Sequence, residues 1–540
     1  VDEAMVQEKR DADFERHPAD KRQGWKQLAI VLIGLGILFR LYAPGHKVYW
    51  FDETMTSLRI SGYTQAALVE TTLNQPPTSA NEFLNRYQYP SEERSHSDAL
   101  EALSAHPEHS PLYFLMARGW LQTFGHSIGT LRLLSAIIGI LVIPAAYWAG
   151  VALFESTVSG WAIASVVAIS PFHVLYAQEA RQYSLWTIAI LLSSAALVQA
   201  MRRSTVKNWG LYAVTMALGL YSHIFYGLVC ISHGLYVLLV ENSRPTRRLL
   251  SYAIAALVGL ALFSPWLLVM VRNLDALLSN TEGMTEDRQG LLPLFWLLNL
   301  SRLFFDLNQG PSAINPMHYL LLILCGYALW QLYRTAPLST SIFVLTLIGV
   351  TAIALMGTDM ILGGRRSSIT RYPIPAYLGL QLAVGYLFSQ TISANLGRQR
   401  RKRWRSIAIA LAVFGVLSIA VNSQHSLWWN KSYAVSRYNP ATAEIMNQSD
   451  RPLMITDRDP SEVLALVHLL DPDVQIQFIA HPGIANRPPD RRPITPDINL
   501  DAYSDVFLYK PSQGLRRRLD RNGYRSQDIY DDGWLWRVTQ

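Results

Sequence analysis

Cysteine is almost missing. Cys230 and Cys325 are the only two in 540 residues, and both lie inside apolar blocks. Two such residues build neither a disulfide framework nor a zinc site. The polar C-terminal stretch holds no Gly-rich phosphate loop and no nucleophile elbow. No fixed-period repeat runs through the chain, and no two halves match in the way that marks many transporters. The first 25 residues are charged and lack an apolar core. No cleavable signal segment is visible there, and residues 1–25 read as a cytosolic arm. The net charge of +7 does not point to nucleic acid, because Lys and Arg gather beside apolar blocks, as topogenic charge does in membrane proteins.

Half of the residues are apolar, and they are unevenly spread. From about Gln27 to Val421 they form blocks of roughly 16–24 residues, long enough at ~1.5 Å per residue to cross a hydrocarbon layer of ~30 Å. The blocks are Gln27–Tyr42, Thr130–Leu153, Val158–Tyr176, Gln182–Met201, Asn208–Tyr221, Ile224–Val240, Leu249–Met270, His318–Tyr333, Ser339–Met356, Tyr372–Phe388 and Ser406–Val421. Two further runs, Leu112–Phe124 and Leu291–Phe305, are short and interrupted; they read as interfacial helices or extra spans. The fold expected is a mainly α, polytopic transmembrane helical bundle of about 11–13 spans, followed by a small soluble α/β domain.

With the N-terminus in the cytoplasm, the clusters Lys21/Arg22/Lys26, Arg202/Arg203/Lys207, Arg244/Arg247/Arg248, Arg334 and Arg398–Arg405 all fall on the inner side. A bacterial inner membrane is the expected location. The long segment 43–129, the segment 271–317 and the loop Gly357–Arg371 then lie outside. From about Ser432 the composition turns polar. Short runs at Leu453–Thr456, Ser461–Leu470, Val474–Ile479, Val506–Tyr509, Leu515–Asn522 and Trp534–Val538 mark the soluble domain, placed at residues 432–540 and outside. The membrane domain is placed at 26–422 and takes the 43–129 loop with it.

Five clusters on that outer side carry chemistry. Tyr49-Trp50-Phe51-Asp52-Glu53 sets two carboxylates in an aromatic surround just past the first span. An acid at that depth needs a partner or a task. Asp52 either caps a helix beginning near Thr54 or acts as a general base, and the two roles are compatible. Tyr176–Tyr183 brings Glu179 and Arg181 to the next outer turn, where a local ion pair is the plainer reading. His223 stands alone in a further turn, as a hydrogen-bonded packing residue or a ligand contact. Arg365, Arg366 and Arg371 break the positive-inside pattern. Arg presents a planar fork suited to phosphate, although Asp359 offers a simple salt bridge. His106, Glu108 and His109 would suit a divalent metal only loosely. Together these residues suit group transfer from a lipid-phosphate donor: Arg stabilises the departing phosphate and an acid takes the proton of an incoming hydroxyl.

The Asp-Glu pair after the first span resembles the mark of the GT-C superfamily of membrane glycosyltransferases. Tyr176-Ala177-Gln178-Glu179-Ala180-Arg181-Gln182-Tyr183-Ser184-Leu185 resembles a stretch of its bacterial branch akin to protein O-mannosyltransferases and the lipid A aminoarabinose transferase (families 39 and 83). His109-Ser110-Pro111-Leu112-Tyr113 resembles that branch's His-Pro-Pro-Leu-Tyr with Ser in place of one Pro. Arg371-Tyr372-Pro373-Ile374-Pro375-Ala376 resembles its late Arg-Tyr motif. Trp428-Trp429-Asn430 is only a faint echo of the oligosaccharyltransferase Trp-Trp-Asp.

The resemblance covers roughly residues 27–390. It implies a polyprenyl-phosphate sugar donor, an acceptor hydroxyl on a glycan, lipid or protein, and inverting transfer. On it, Asp52 is the base, with Glu53 and Glu179 as further acids. Arg365, Arg366, Arg371 and Arg181 would meet the lipid phosphate, and His223, Tyr183, His109 and Tyr372 the sugar or acceptor. Phosphate is already a competent leaving group, so no cofactor is required and a divalent metal is optional. The alternative functions are a lipid or glycan transporter and a non-catalytic membrane assembly protein.

Overall fold

The computed structural model describes residues 24–282, 289–393, 397–431, 434–479, 500–530 and 533–539. The N-terminal arm lies outside them, apart from its last two residues. The chain folds as two compact units. One comprises residues 1–43, 108–110 and 135–424; the other comprises 44–107, 111–134 and 425–540.

The first unit is helical, and a helix occupies every one of the apolar stretches read as spans. Among the described residues, six helices are long and apolar enough to cross a membrane: Gly24–Leu41, Ile128–Phe154, Tyr183–Arg202, Arg247–Arg272, Leu338–Leu362 and Gln399–Gln424. Thr157–Ala168 and Pro171–Ala177 form a pair bent by 62° that makes a seventh if counted as one span. The protein is therefore an integral membrane protein with multiple spans, but fewer helices meet the spanning criteria than the 11–13 expected. Several of the others are too short or too weakly apolar, Tyr226–Val240 among them.

Local sequence explains the bend. Pro171 takes the first position of its helix, where a missing N–H costs nothing. The residue before a proline is biased away from helical geometry, and Ser170 is extended. The freed polar groups at the break are answered: the Ser170 hydroxyl donates to the Leu303 carbonyl (2.7 Å), and Gln381 Nε2 donates to Ser170 Oγ (3.1 Å). Gly36 allows the first helix to approach Ala168 closely. One turn on, buried Arg40 donates to the carbonyls of Val167 (3.2 Å) and Ala168 (2.7 Å), capping the end of Thr157–Ala168.

The second unit is built on a six-stranded sheet: β1 (Thr78–Ser79), β2 (Pro452–Thr456), β3 (Gln475–Phe478), β4 (Asp505–Tyr509), β5 (Arg525–Tyr530) and β6 (Leu535–Thr539), in the order β1-β3-β2-β4-β6-β5. Strands β2, β3 and β4 are parallel, and the rest pair antiparallel. Helix Pro460–Val467 makes the β2–β3 crossover, and the run Leu515–Asn522 lies in helix Gln513–Arg521 as far as Arg521, with Asn522 at its C-cap. The sequence reading assigned the 43–129 loop to the membrane domain. Here most of it folds with the C-terminal chain, because the two share a core: Met55, Leu58, Leu68, Phe83 and Tyr87 pack with Met454, Val463, Leu466, Ile476 and Phe507.

Leu112–Phe124 is a helix of 13 residues, too short to span. It buries Tyr113, Phe114, Ala117, Arg118 and Leu121 within this unit. The Arg118 guanidinium donates to the carbonyls of Ile60 and Arg94.

Candidate active site

In the second unit, the capping idea for Asp52 does not hold. The helix begins at Phe51 rather than near Thr54, and Trp50 occupies the cap position. Asp52 and Glu53 both lie in its first turn, where partial positive charge favours a carboxylate. The two neighbours differ in surroundings. Asp52 is half-buried. Glu53 is wholly buried, as are its partners Arg132 and Lys431. Arg132 meets the carboxylate with a two-pronged fork, Nε to Oε1 and Nη2 to Oε2, each at 2.7 Å. Lys431 Nζ donates to Oε2 at 2.6 Å. The remaining Arg132 donors hold the carbonyls of Pro44 (3.0 Å), Lys47 (2.7 Å) and Val48 (2.9 Å).

One carboxylate thus faces two cations, and the cluster binds segment 44–53 to segment 425–431. Lys47 Nζ donating to the His425 carbonyl (3.0 Å) and Val48 N–H donating to the Ser426 carbonyl (3.0 Å) reinforce the seam. Tyr49 stacks beneath Arg132 at 5.3 Å. Its hydroxyl donates to the Glu53 carbonyl at 3.0 Å and lies 2.6 Å from Ser57 Oγ. Burial first, and then Glu53, push that hydroxyl well above its usual range, so it stays protonated. His468 packs edge-on against the Tyr49 ring at 4.8 Å and bonds Gln88 at 3.0 Å. Burial, with Arg132 adding, depresses its pKa to about 3.

In the membrane unit, the turn 178–182 joins the bent helix pair to Tyr183–Arg202. Gln178 Nε2 fixes it by donating to the carbonyls of Phe39 (2.7 Å) and Tyr42 (2.9 Å). Glu179, Arg181 and Tyr183 are all buried in or next to this turn. Arg181 lies 5.8 Å and Arg371 5.7 Å from the centre of the Tyr183 ring. Arg371 is also 5.7 Å from the Tyr372 ring, which takes the edge of Phe225 at 4.8 Å. His223 stacks flat on Trp186 at 4.1 Å and accepts the Phe225 N–H on Nδ1 (3.1 Å), within electrostatic reach of Arg181 and Arg371. So Arg181, Tyr183, His223, Arg371 and Tyr372 come together.

Other candidates go elsewhere. Helix Leu338–Leu362 runs six residues into the expected loop and carries a π-helical turn at Ile353–Gly357. Buried Asp359 near its end accepts the Ser367 N–H at 2.6 Å and lies 3.6 Å from Arg366. The plainer reading of Arg366 is the one observed. Arg365 precedes the short 3-10 turn Arg366–Ser368. His109 sits 3.8 Å from Glu108, while Ser110 next to it donates to the Leu220 carbonyl at 2.9 Å. Among the described residues no three His, Cys, Asp or Glu side chains are grouped to hold a metal ion.

Sequence reasoning missed Arg132, Lys431, His468 and Arg302. Arg132 carried a signal, as a charge three residues into an apolar block. Lys431 follows the Trp428-Trp429-Asn430 echo that was set aside, and a turn there (Lys431 N–H to the Trp428 carbonyl, 2.9 Å) delivers it. Buried Arg302 donates to Asn299 (3.1 Å) and Thr370 (3.3 Å), while Asn299 Nδ2 holds the Ser368 carbonyl (3.0 Å), pinning the loop before Arg371.

Residues 106–269 match the family model described as dolichyl-phosphate-mannose-protein mannosyltransferase. No curated protein gives a significant sequence match. The crystal structure of ArnT from Cupriavidus metallidurans in the apo state is similar over 96% of this chain and 98% of that one, with 16% identity and a TM-score of 0.55. The structure of ArnT from the same organism bound to undecaprenyl phosphate is similar over 95% and 97%, with 14% identity and a TM-score of 0.52. At such identities the likeness is one of fold, and it runs nearly end to end: this chain has the fold of the GT-C superfamily of membrane glycosyltransferases.

Proposed function

We propose that the chain is an inverting membrane glycosyltransferase. It moves a sugar from a polyprenyl-phosphate donor to an acceptor hydroxyl at the extracytoplasmic face of a bacterial inner membrane. The observation that carries this reading is the division of labour between Asp52 and Glu53. Glu53 is consumed by Arg132 and Lys431. Asp52 remains half-buried on a first helical turn that this buried ion cluster anchors. A carboxylate held in place and kept partly open is what a general base requires.

In the proposed step, the Asp52 carboxylate takes the proton of the acceptor hydroxyl. The hydroxyl oxygen attacks the anomeric carbon, and the bond from that carbon to the phosphate oxygen breaks. The electron pair leaves with polyprenyl phosphate, and configuration at carbon inverts. The membrane unit's Arg371 and Arg181 are the proposed phosphate contacts, with Tyr183, Tyr372, His223 and His109 assigned to sugar or acceptor. Glu53 is a positioning residue in this scheme, and Glu179 a buried acid that sets the turn carrying Arg181. Undecaprenyl phosphate on the ArnT relative supports a donor of the polyprenyl class.

The test is to incubate the purified chain with a panel of polyprenyl-phosphate sugars and candidate acceptors. Release of free polyprenyl phosphate is then followed by mass spectrometry. Wild type should release it, and Asp52→Asn should lose ~100- to 10,000-fold in rate at unchanged melting temperature. Full activity of Asp52→Asn refutes the mechanism. Lipid movement across vesicles without any sugar release would instead support a transporter.

A further inference from the structure

A cavity of about 850 Å³ in the membrane unit plays no part in the proposed reaction. It opens where Ile128–Phe154 and Tyr183–Arg202 end and where Thr157–Ala168, Arg247–Arg272 and the helix at Leu338 begin. Its apolar wall includes Trp148, Val151, Met201 and Val240. Its rim carries Arg202, Arg203 and Arg248 against a single lining acid, Glu155. Arg202 is committed: it pairs with Glu155 at 3.0 Å and donates to the Leu153 carbonyl at 3.2 Å. Arg248 lies at a looser 3.6 Å from Glu241 with half its side chain exposed, and Arg203 is exposed. Ser339 and Thr340, in the first turn of the helix that begins at Leu338, also line the cavity. That helix follows Pro337, which offers no side-chain cap, and its first turn borders the same space.

Cationic rim, uncapped helix start and apolar wall together match one ligand chemistry: a phosphate diester carrying acyl chains. The basic clusters at this end of the helices mark the cytoplasmic side, whose leaflet is rich in anionic lipid, and basic pockets between spans on that side suit such headgroups. We infer that this pocket binds an anionic glycerophospholipid, with Arg203 and Arg248 on the phosphate and the chains against the apolar wall. The inference is independent of the transferase reaction.

The test is native mass spectrometry of the purified full chain, titrated in separate arms with phosphatidylglycerol, phosphatidylcholine and inorganic phosphate. Phosphatidylglycerol should bind about 30-fold more tightly than phosphatidylcholine, from two basic residues at ~1 kcal/mol each and about 1.4 kcal/mol per tenfold. In Arg203→Gln/Arg248→Gln the two lipids should bind within about 2-fold of each other, with the melting temperature unchanged. If the double variant folds poorly, Arg203→Gln alone should lose about half of the preference on a logarithmic scale. Equal binding of both lipids by wild type, or a preference that survives both substitutions, overturns the proposal. Inorganic phosphate binding as tightly as phosphatidylglycerol would assign the site to free phosphate and overturn it as well.

Discussion

Replacing Glu53 by Gln changes almost no volume but removes the negative charge that pairs with both Arg132 and Lys431. All three side chains are fully buried, so water cannot compensate. The amide would also turn an N–H donor toward one of two cationic donors now 2.6–2.7 Å away. Breaking a buried ion pair by removing one partner costs about 3–5 kcal/mol. Two stranded cations put Glu53→Gln at the upper end, a large share of an ordinary stability of about 5–15 kcal/mol. At about 2–4 °C per kcal/mol for a unit of ~200 residues, the melting temperature should fall by more than about 10 °C.

The assay is thermal unfolding of the full chain in detergent, read by intrinsic fluorescence of the tryptophans. A second substitution separates charge from packing. Lys431→Met added to Glu53→Gln removes one stranded cation and should recover part of the loss, with a coupling of about 1–3 kcal/mol. Asp52→Asn, one residue away, should leave the melting temperature within about 2 °C, since the swap keeps the shape of a half-buried side chain and changes no core volume. A Glu53→Gln protein that melts like wild type, or an Asp52→Asn protein that melts as early as Glu53→Gln, refutes the assignment of holding and catalytic roles.

Arg371→Lys should raise the donor KM by about 10-fold or more with a smaller effect on kcat, because a point charge cannot reproduce the planar fork; steady-state kinetics with varied donor would show it. The depressed pKa of His468 predicts acid sensitivity. Its folded-state value of about 3 lies below the ordinary value of 6.5, so the stability it contributes is present above pH 6.5 and is lost as pH falls from there toward 3. The melting temperature should drop less between pH 7 and pH 5 in His468→Asn than in wild type. Arg40→Met should destabilise the membrane unit by about 1–3 kcal/mol, since it strands the carbonyls of Val167 and Ala168 at a buried helix end. Limited proteolysis in detergent would report that loss.

The membrane architecture was legible because hydrocarbon thickness imposes a length on every apolar run, and length is a property of the chain alone. Helices form on all the apolar stretches read as spans, and on Leu112–Phe124 to its bounds. Sequence also singled out Asp52 and Glu53, since acids beside hydrocarbon are costly wherever they fall. It could not say which of the two was wholly buried in an ion cluster and which was half-buried. That was decided by Arg132, 79 residues away, and Lys431, 378 residues away. Nothing in local pattern announces a partner at such separations.

The same holds for Arg181, Tyr183, His223 and Arg371, which three separate turns bring together. It holds too for the loop after the first span, whose apolar residues share a core with the C-terminal chain. β5 was missed because an edge strand with little buried surface leaves no apolar alternation to read. Sequence determined which segments must leave water and which residues are expensive. Tertiary structure decided which charges meet, because ion pairing depends on distances of a few ångströms that only the folded chain sets.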